Sequence, residues 1–572
     1  MAAYAELHCW SNFTFLEGAS HPEELIQRAR DLGLSAIALT DRDGLYGAVR
    51  FAAEARRCGI DAIVGSELTF EDGARIVLLV ETEEGYANGC ELISIAQLRG
   101  AKADARLRWD DFEGRSRGLI ALSGGAHGAI DRALAQGDRD AAFAAAHRLK
   151  TIFGDRAYIE LQQHLTAEES YRNEQLVAIA RDLNLPIVAT NGVVYAYKED
   201  APLADVLCCV KHTVSLDQAR SEHRLRPNGE YHLKSPLAMR RLFNAYPEAI
   251  EATRTIVERC RFRLERQIGQ FPLFDVPAGV TRQQYLRDLV YRGAAERYKT
   301  PLEPNVERQL EYELGIIAKM DLAGYFLIVW DIVQAANRYG VLCQGRGSAA
   351  NSAVCYALGI TAVDPVGMNL LFERFMSEER QEIPDIDIDF AHQDREKVIQ
   401  YVYEKYGRTN AAMAAEVITF RTRSAIRDVG KALGLTLAQV DQVAREFDTR
   451  ESLAGATGYV PPNDQHAAKP AAVLKRRDFD TGSNVHISRV SDGPDRYAYG
   501  FQGKDSDENV DADLPPPIAG EIAERLYAFC RRIDGFPRHM GIHSGGMVIT
   551  RDPLVRVAPV EWATMRDRTI IQ

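Results

Sequence analysis

The chain has 572 residues, of which 46% are hydrophobic and 26% are charged, an ordinary globular composition that excludes a fibrous or wholly disordered protein. This length accommodates several domains. Lys and Arg number 69 and Asp and Glu 81, which gives a net charge of −12. The charge excludes a simple basic coat for nucleic acid, but it is compatible with a local basic groove or with bound Mg²⁺.

The first 70 residues alternate predicted strands and helices. One strand, 35–40, ends at Asp41, and another, 60–68, ends with Glu67 close to its terminus. Polar residues directly past strand ends predict a parallel sheet or barrel whose chemistry lies at its C-terminal rim. Similar strand–helix units continue to about residue 200.

Beyond residue 265 the predicted secondary structure and the composition change twice along the chain. Residues 281–339 are predicted to be helical after a linker at 269–279. The stretch 454–517 is rich in Pro, Asp, Gly, Ser and Asn and has no sustained apolar period, which predicts loop or disorder. An ordered pattern resumes with a helix at 518–533.

The strongest chemical signal is the sequence PDIDIDF at 384–390. As a strand it places Asp385, Asp387 and Asp389 on one face, with alternate residues about 7 Å apart. Carboxylates at this spacing can hold two Mg²⁺ ions for phosphoryl or nucleotidyl transfer. The alternative is an edge strand with a solvated acidic face.

A glycine-rich turn precedes the acidic strand, in the sequence GRGSAANS at 345–352. Glycines let backbone amides approach a phosphate, and the N-terminus of the following helix favours negative charge. This is not a Walker A loop, because no GK[ST] follows. The alternative is an ordinary tight turn.

Two sets of basic residues accompany these motifs. Arg374, in LFERF, is a candidate phosphate clamp, and its alternative is a surface salt bridge with Glu373 or Glu378. The segment VITFRTRSAIRDVGKALG carries a basic run that suits a nucleic-acid backbone or a triphosphate, or is simply a solvated face. The run consists of Arg421, Arg423, Arg427 and Lys431.

Cysteine usage and hydropathy bear on the compartment. The 9 cysteines form no CxxC pair, so neither a disulfide framework nor a zinc ribbon is indicated. No signal peptide is visible, and the longest strongly apolar stretch is too short to span a bilayer. We therefore expect a cytoplasmic protein.

Taken together, the motifs carry a family resemblance. In chain order, GRGSAANS, LFERF, PDIDIDF, ITFRTRSAIRDVGKALG and GIHSGGMVI resemble the palm of bacterial C-family DNA polymerases, the DNA polymerase III alpha-subunit superfamily. ELHCWSNFTFLEGAS, LTDRDGLYG and IVGSEL resemble the PHP domain of that family. YAELHCWSNFTFLEGASHPEEL and FPRHMGIHSGGMVI are more similar to its error-prone, damage-response branch.

The resemblance implies an α/β fold: a PHP-like βα barrel, followed by a mixed αβ nucleotidyltransferase palm with an inserted helical thumb. The expected domains are the PHP domain at 1–265, the first part of the palm at 266–417, a thumb-like region at 418–530 with a disordered insert at 454–517, and the second part of the palm at 531–572.

The resemblance also implies an activity: a DNA-directed DNA polymerase of the error-prone, damage-tolerance type. It would add dNTPs to a primer 3′-hydroxyl with two Mg²⁺ ions at Asp385 and Asp387, whereas Asp389 matches no principal ligand. The implied nucleotide-binding residues are Gly347, Ser348 and Arg374, and the candidate DNA or triphosphate contacts are Arg346, Arg421, Arg423 and Arg427.

The expected partners are primer–template DNA, dNTPs, and a sliding clamp and damage-response proteins reached through regions that this chain lacks; no membrane contact is expected. The family carries a third catalytic carboxylate on a strand after the stretch that here reads EWATMRDRTIIQ, and the chain ends at Gln572 before that strand. The resemblance therefore implies an N-terminal fragment of a polymerase, which can be inactive when it is alone. The alternative function is that of a non-catalytic DNA-binding fragment.

The PHP metal site looks eroded. Trp10 stands where the family carries a second His, Arg42 where a His follows the aspartate, and Gly192 and Val194 where it carries Asp and His. The remaining candidate ligands are His8, Asp41, Glu67 and His164. We expect no PHP metal, with Arg42 a candidate salt-bridge partner of Asp41 or Glu67. The alternative is a metal-dependent phosphoesterase or 3′–5′ exonuclease.

Overall fold

A computed structural model describes residues 4–264, 272–298, 300–376, 384, 386–446, 485–489, 497–501, 520–565 and 567–572. The contacts divide the chain into two compact units. The first comprises Met1–Ala204, Pro227–Ile418 and Pro537–Gln572, and the second Asp205–Arg226 and Thr419–Phe536. Within the described ranges, the structure contains no helix both long enough and apolar enough to cross a membrane.

A six-stranded sheet forms the N-terminal part of the first unit. In spatial as well as chain order, its strands are β1 (Ala36–Leu39), β2 (Asp61–Thr69), β3 (Arg75–Val80), β4 (Leu119–Leu122), β5 (Ala157–Leu161) and β6 (Ile187–Ala189). The pairs are parallel except that β3 is antiparallel to both neighbours. The parallel-sheet expectation is wrong for β3, because the short turn at 70–74 cannot make the crossover of about a dozen residues that parallel strands need.

The N-terminal segment closes this sheet into a barrel. The Thr40 amide donates to the Cys9 carbonyl at 2.8 Å on one edge, and the Trp10 amide donates to the Val193 carbonyl at 2.8 Å on the other. Small and branched side chains such as Ala38, Ile63 and Val188 fill the interior. The residues just past β1 and β6 and near the end of β2 therefore gather at one rim.

Helices alternate with the strands of the barrel or follow its last strand along the chain. They are α1 (Pro22–Asp31), α2 (Ala48–Cys58), α3 (Glu83–Arg99), α4 (Ala129–Ala135), α5 (Arg139–Phe153), α6 (Ala167–Asp182), α7 (Ala201–His212), α8 (Leu216–Ser221), α9 (Pro236–Leu242) and α10 (Pro247–Arg259). At α1, the side chain of Glu24 accepts from the His21 amide at 2.8 Å and caps the helix start. At α2, Gly59 ends the helix with φ +69°.

The palm follows. Its elements are α11 (Arg282–Arg297), α12 (Pro304–Lys319), α13 (Ala323–Arg338), β7 (Cys343–Arg346), α14 (Ala353–Ala357), β8 (Asp387–Phe390), α15 (Arg395–Tyr406) and β9 (Ala411–Thr419). The predicted helical stretch at 281–339 is confirmed as three helices. Strands β7 and β8 form an antiparallel pair of their own, and β9 joins a second sheet.

Most of the second unit comes from the segment between β9 and the return of the chain to that sheet, and the rest is Asp205–Arg226. Its elements after β9 are α16 (Thr422–Ala432), α17 (Leu437–Glu446), β10 (Val485–Arg489), β11 (Tyr497–Phe501) and α18 (Glu521–Ile533). The predicted insert at 454–517 lies outside the described residues except for β10 and β11, which pair antiparallel. At the base, the Phe420 amide donates to Phe536 at 2.8 Å and the Gly535 amide to Phe420 at 3.0 Å.

The last strands complete the second sheet. They are β12 (Pro537–Ile549), β13 (Val560–Trp562) and β14 (Thr569–Ile571), and the strand order is β12-β9-β14-β13. Helix α3 of the barrel packs on β13. The Val560 amide donates to Ser94 Oγ at 3.0 Å, and Trp562 Nε1 donates to the Leu98 carbonyl at 2.9 Å. Barrel and palm are therefore parts of one compact unit.

Candidate active site

Strand β8 carries the acidic motif, and its pairing with β7 sets the site. Asp387 lies opposite Arg346, and Asp389 opposite Gln344. Both aspartates are exposed, whereas Ile388 between them is half-buried and packs against the hydrophobic core. The predicted alternation is thus confirmed at these positions; Asp385 lies outside the described residues.

The glycine-rich turn follows β7 directly. Gly347 has φ +65°, a backbone conformation that favours glycine. A β-carbon placed there would lie 3.9 Å from an Asp387 carboxylate oxygen. Residues Gly347–Asn351 then form a 3₁₀ turn. Because the turn and the acidic strand are adjacent, they make one site rather than two.

One cation already faces the two carboxylates. Arg346 Nε lies 3.4 Å from Asp389 Oδ1 and 3.9 Å from Asp387 Oδ2. All three side chains are more than half exposed, so the contacts are weak and exchangeable. The exposed carboxylate of Asp387, already close to a cation, is accessible to a hard divalent ion such as Mg²⁺.

Arg374 is placed close to the glycine-rich turn. It ends a second 3₁₀ turn, Phe372–Arg374, which contacts the Gly347–Asn351 turn. Phe372 is buried edge-on against Tyr312 of α12, whose hydroxyl lies 3.0 Å from a carboxylate oxygen of Glu373. The Arg374 side chain is exposed. The structure therefore brings together Gly347, Ser348, Arg374 and Asp387.

The other predicted basic contacts belong to the second unit. Arg423 Nε donates to the Ala444 carbonyl at 3.1 Å, and Arg427 pairs with Asp441 at 3.0 Å. These contacts tie α16 to α17, so both guanidinium groups have a packing role. Arg421 is exposed at the start of α16.

At the barrel rim, His8 lies between two buried glutamates. Its Nδ1 is 2.8 Å from Glu160, and its Nε2 is 3.6 Å from Glu67. Burial lowers the pKa of His8, but the charge and hydrogen bond of Glu160 and the contact with Glu67 outweigh it and raise the pKa to about 10. His8 is therefore a buried cation.

The other candidate rim ligands are also engaged. Asp41 accepts from the amide and hydroxyl of Ser11 and from Thr14 Oγ1, at 2.7–2.8 Å, and burial raises its pKa to about 6. His164 contacts Glu169 at 2.6 Å and the Asn191 carbonyl at 2.8 Å through its two ring nitrogens. Because the atoms that would bind a metal are already hydrogen-bonded to other protein groups, Asp41 and His164 do not fit a metal centre. Across the described ranges, no group of three or more His, Cys, Asp or Glu side chains is arranged to hold a metal ion.

The cation at Glu67 is not the one expected. Arg42 pairs with Glu17 and lies 3.8 Å from Asp43, whereas Arg75 lies 3.3 Å from Glu67. On the antiparallel β2–β3 pair Glu67 faces Val77, so Arg75 is its diagonal neighbour on the same face.

Sequence reasoning missed Arg75 and Glu160. Their signal was a charged residue within an apolar strand pattern. Arg75 and Arg42 both lie 5.8 Å from the centroid of the Trp10 ring. An aromatic ring and two guanidinium groups therefore occupy the part of the rim where the resemblance implies two histidines.

Two family models match parts of this chain. The family model for the bacterial DNA polymerase III alpha NTPase domain matches residues 284–478 and 507–572, and the PHP domain model matches 6–164. The first match contains β7, β8 and both 3₁₀ turns, and the second contains most of the barrel. Among solved structures, an amidohydrolase from Chromobacterium violaceum aligns with 34% of this chain at 18% identity and a TM-score of 0.23, too weak a likeness for any conclusion.

Curated relatives match along the whole chain. Error-prone DNA polymerases of Anaeromyxobacter sp. (strain K), Caulobacter vibrioides and Mycobacterium bovis are 38%, 40% and 40% identical to it. Each alignment covers 100% of this chain and 52%, 47% and 48% of the respective relative, so the chain spans about half their length. The chain therefore belongs to the bacterial C-family DNA polymerases, the DNA polymerase III alpha-subunit superfamily, and is similar to the error-prone branch.

Proposed function

We propose that this chain takes part in template-directed addition of dNTPs to a primer 3′-hydroxyl, as a DNA polymerase of the error-prone, damage-tolerance type. The observation that supports this is the β7–β8 pair, which sets a glycine turn suited to phosphate beside a carboxylate suited to a metal. A likeness to error-prone polymerases along the whole chain supports the same assignment.

In this proposal Asp385 and Asp387 hold two Mg²⁺ ions. When bound, Mg²⁺ supplies a Lewis acid that favours the deprotonated primer hydroxyl and neutralises triphosphate charge. The exposure of Asp387 leaves its oxygens open to solvent and hence to such a ligand. Asp389, which lies two residues further along the same face of β8, is not assigned a metal and therefore serves as the control for Asp387.

The remaining residues bind and orient substrate. Backbone amides of Gly347 and Ser348 would donate to triphosphate oxygens, and Arg374 would clamp them. Arg346 would leave the carboxylates and turn to phosphate once a metal neutralises them. Arg421 would contact the DNA backbone, together with Arg423 and Arg427 of the same helix. A sliding clamp and damage-response proteins would recruit the enzyme.

The barrel, by contrast, is proposed to do no metal chemistry. The rim side chains that would bind a metal are hydrogen-bonded to other protein groups, so they do not form the ligand set of a phosphoesterase centre. The test is a 3′–5′ exonuclease assay on a mismatched primer with Mn²⁺ or Zn²⁺. We expect no trimming, and trimming that is lost in the His8→Ala variant would contradict this part of the proposal.

Primer extension tests the polymerase proposal. The purified chain is given a primer–template, dNTPs and Mg²⁺, and is compared with its Asp387→Asn and Asp389→Asn variants. We expect extension to fall at least about a hundredfold in Asp387→Asn, since loss of a metal carboxylate removes several kcal/mol of transition-state stabilisation. The matched Asp389→Asn control should retain most activity. Equal losses, or no extension by the wild type, would refute the proposal for this chain.

A further inference from the structure

Glu313 is a charged residue in the apolar face of α12. Its position in the helix, between Leu310 and Ile317, places it among core side chains, and it is fully buried. A buried carboxylate is costly unless donors surround it. The groups that surround this one belong to the segment immediately after the glycine-rich turn.

Four donors reach the two oxygens of Glu313. They are Ser352 Oγ at 2.7 Å, the Ala353 amide at 2.9 Å, the Val354 amide at 3.0 Å and Gln309 Nε2 at 2.9 Å. The hydroxyl of Ser352 in turn accepts from the Cys355 amide at 3.1 Å. The first amides of α14 are therefore satisfied from inside the protein.

This arrangement changes the expected role of the helix. An open helix N-terminus after the glycine turn was a candidate phosphate site, but the first amides of α14 already donate to Glu313 and Ser352. These amides are therefore not available to a triphosphate. What remains available to phosphate is the Gly347–Asn351 turn, which lies beside Asp387.

The same helix also fixes the second turn of the site. Tyr312, adjacent to Glu313, packs against Phe372 and contacts Glu373, while the Gly345 amide donates to the Ile360 carbonyl at 2.7 Å on the near side of the glycine turn. Two consecutive residues of α12 thus contact the segment directly after the turn that carries Ser348 and the turn that carries Arg374.

We infer that Glu313 is a positioning residue for nucleotide binding: it anchors α14 so that the Gly347–Asn351 turn stays beside Asp387, and it directs the triphosphate to that turn. The inference rests on the proposed function. Glu313 does not touch the substrate and acts through Ser352, Ala353 and Val354.

The test compares the full chain with Glu313→Gln, Glu313→Asp and, as a matched control on the exposed side of the same helix, Glu307→Gln. Glutamine keeps the shape but replaces one acceptor oxygen by an amide NH₂ that faces other donors, whereas aspartate keeps the carboxylate. Two quantities are measured: amide hydrogen exchange in peptides spanning 345–356, with 61–69 of the barrel as reference, and the affinity of the chain with primer–template for dATP and Mg²⁺.

We expect Glu313→Gln to accelerate exchange at 345–356 and weaken dATP affinity, each by about tenfold, as loss of a buried acceptor predicts. The reference peptide should not change. Glu313→Asp should recover part of both effects, and Glu307→Gln should match the wild type. Unchanged exchange at 345–356 would overturn the inference, as would faster exchange with unchanged dATP affinity. A wild type that binds no dATP would instead refute the proposed function, while the exchange data still decide whether Glu313 holds the turn.

Discussion

Two groups of carboxylates in the described part of the chain, one at the barrel rim and one on strand β8, have different surroundings. At the rim, Glu67 and Glu160 are fully buried, and His8 and Arg75 lie against them as built-in cations. On β8, Asp387 and Asp389 are more than half exposed, and their cationic neighbour Arg346 is equally exposed.

The difference separates a structural cluster from a binding site. Burying an unneutralised carboxylate costs several kcal/mol, so the rim needs permanent cations from the chain itself. Exposed carboxylates keep most of their hydration and can exchange one cation for another at little cost. Substitutions at the two places should therefore differ sharply in their effect on stability, and the following predictions test that contrast.

The largest effect is expected for His8→Ala. It leaves Glu67 and Glu160 buried without the cation between them, which should lower the free energy of unfolding by about 3–5 kcal/mol. Urea denaturation followed by circular dichroism measures this. The matched control is His147→Ala on the exposed face of α5, expected to cost under about 0.5 kcal/mol. Equal effects of the two variants would show that the rim is not held by this charge.

A double-mutant cycle with Arg75→Ala and Glu67→Gln isolates the second rim pair. Because Glu67 is fully buried and Arg75 mostly so, we expect a coupling energy of about 1–3 kcal/mol. Burial raises the pKa of Glu67, but the charge of Arg75 and the contact with His8 bring it below its ordinary value, so the carboxylate is ionised. A coupling energy near zero would contradict a permanent ion pair.

The rim should also make stability depend on pH. The folded chain holds the His8 proton up to a pKa of about 10, against an ordinary value of 6.5. Between these values the folded state binds one proton more at His8 than the unfolded state does, so the stability contributed by His8 is full below about pH 6.5 and falls as the pH rises toward 10. The slope should reach about 1.4 kcal/mol per pH unit at most. In the His8→Ala variant this component should be absent; an unchanged slope would refute the assignment.

The smallest effect is expected on β8. A cycle of Arg346→Ala and Asp389→Asn should give a coupling energy under about 1 kcal/mol, because all the groups are exposed, and salt should weaken it further. Repeating the urea series in low and high salt measures it. A coupling as large as that of Arg75 with Glu67 would remove the distinction between the two places.

Part of this arrangement was readable from the sequence. The alternation of Asp and Ile predicts which side chains of β8 face solvent, and the glycines predict a turn, because both signals are local. The family motifs predict a barrel and a palm. These features depend on residues only a few positions apart.

The rim partners and Glu313 depend on long-range register. Arg42 follows Asp41 in the sequence and was therefore predicted to pair at the rim. Arg75, by contrast, contacts Glu67 only because a hairpin places β3 antiparallel to β2. Glu313 meets the segment after the glycine turn only once α12 packs on α14. In each case the local signal was a charged residue at a position where the pattern expects an apolar one. Such a residue is predicted to be buried, but the sequence does not show which residue it pairs with.

The pair of backbone hydrogen bonds joining Phe420 to Gly535 and Phe536 has a consequence for how the chain can vary. It closes a long loop at its base, just where β9 leaves and β12 enters the palm sheet. The entropy of closing such a loop rises slowly, by about 0.6 kcal/mol for each doubling of its length. The stretch that the polymerase family model leaves unmatched, 479–506, lies inside this loop. Insertions and deletions there can therefore accumulate between two adjacent strands of the palm while the register of those strands is preserved.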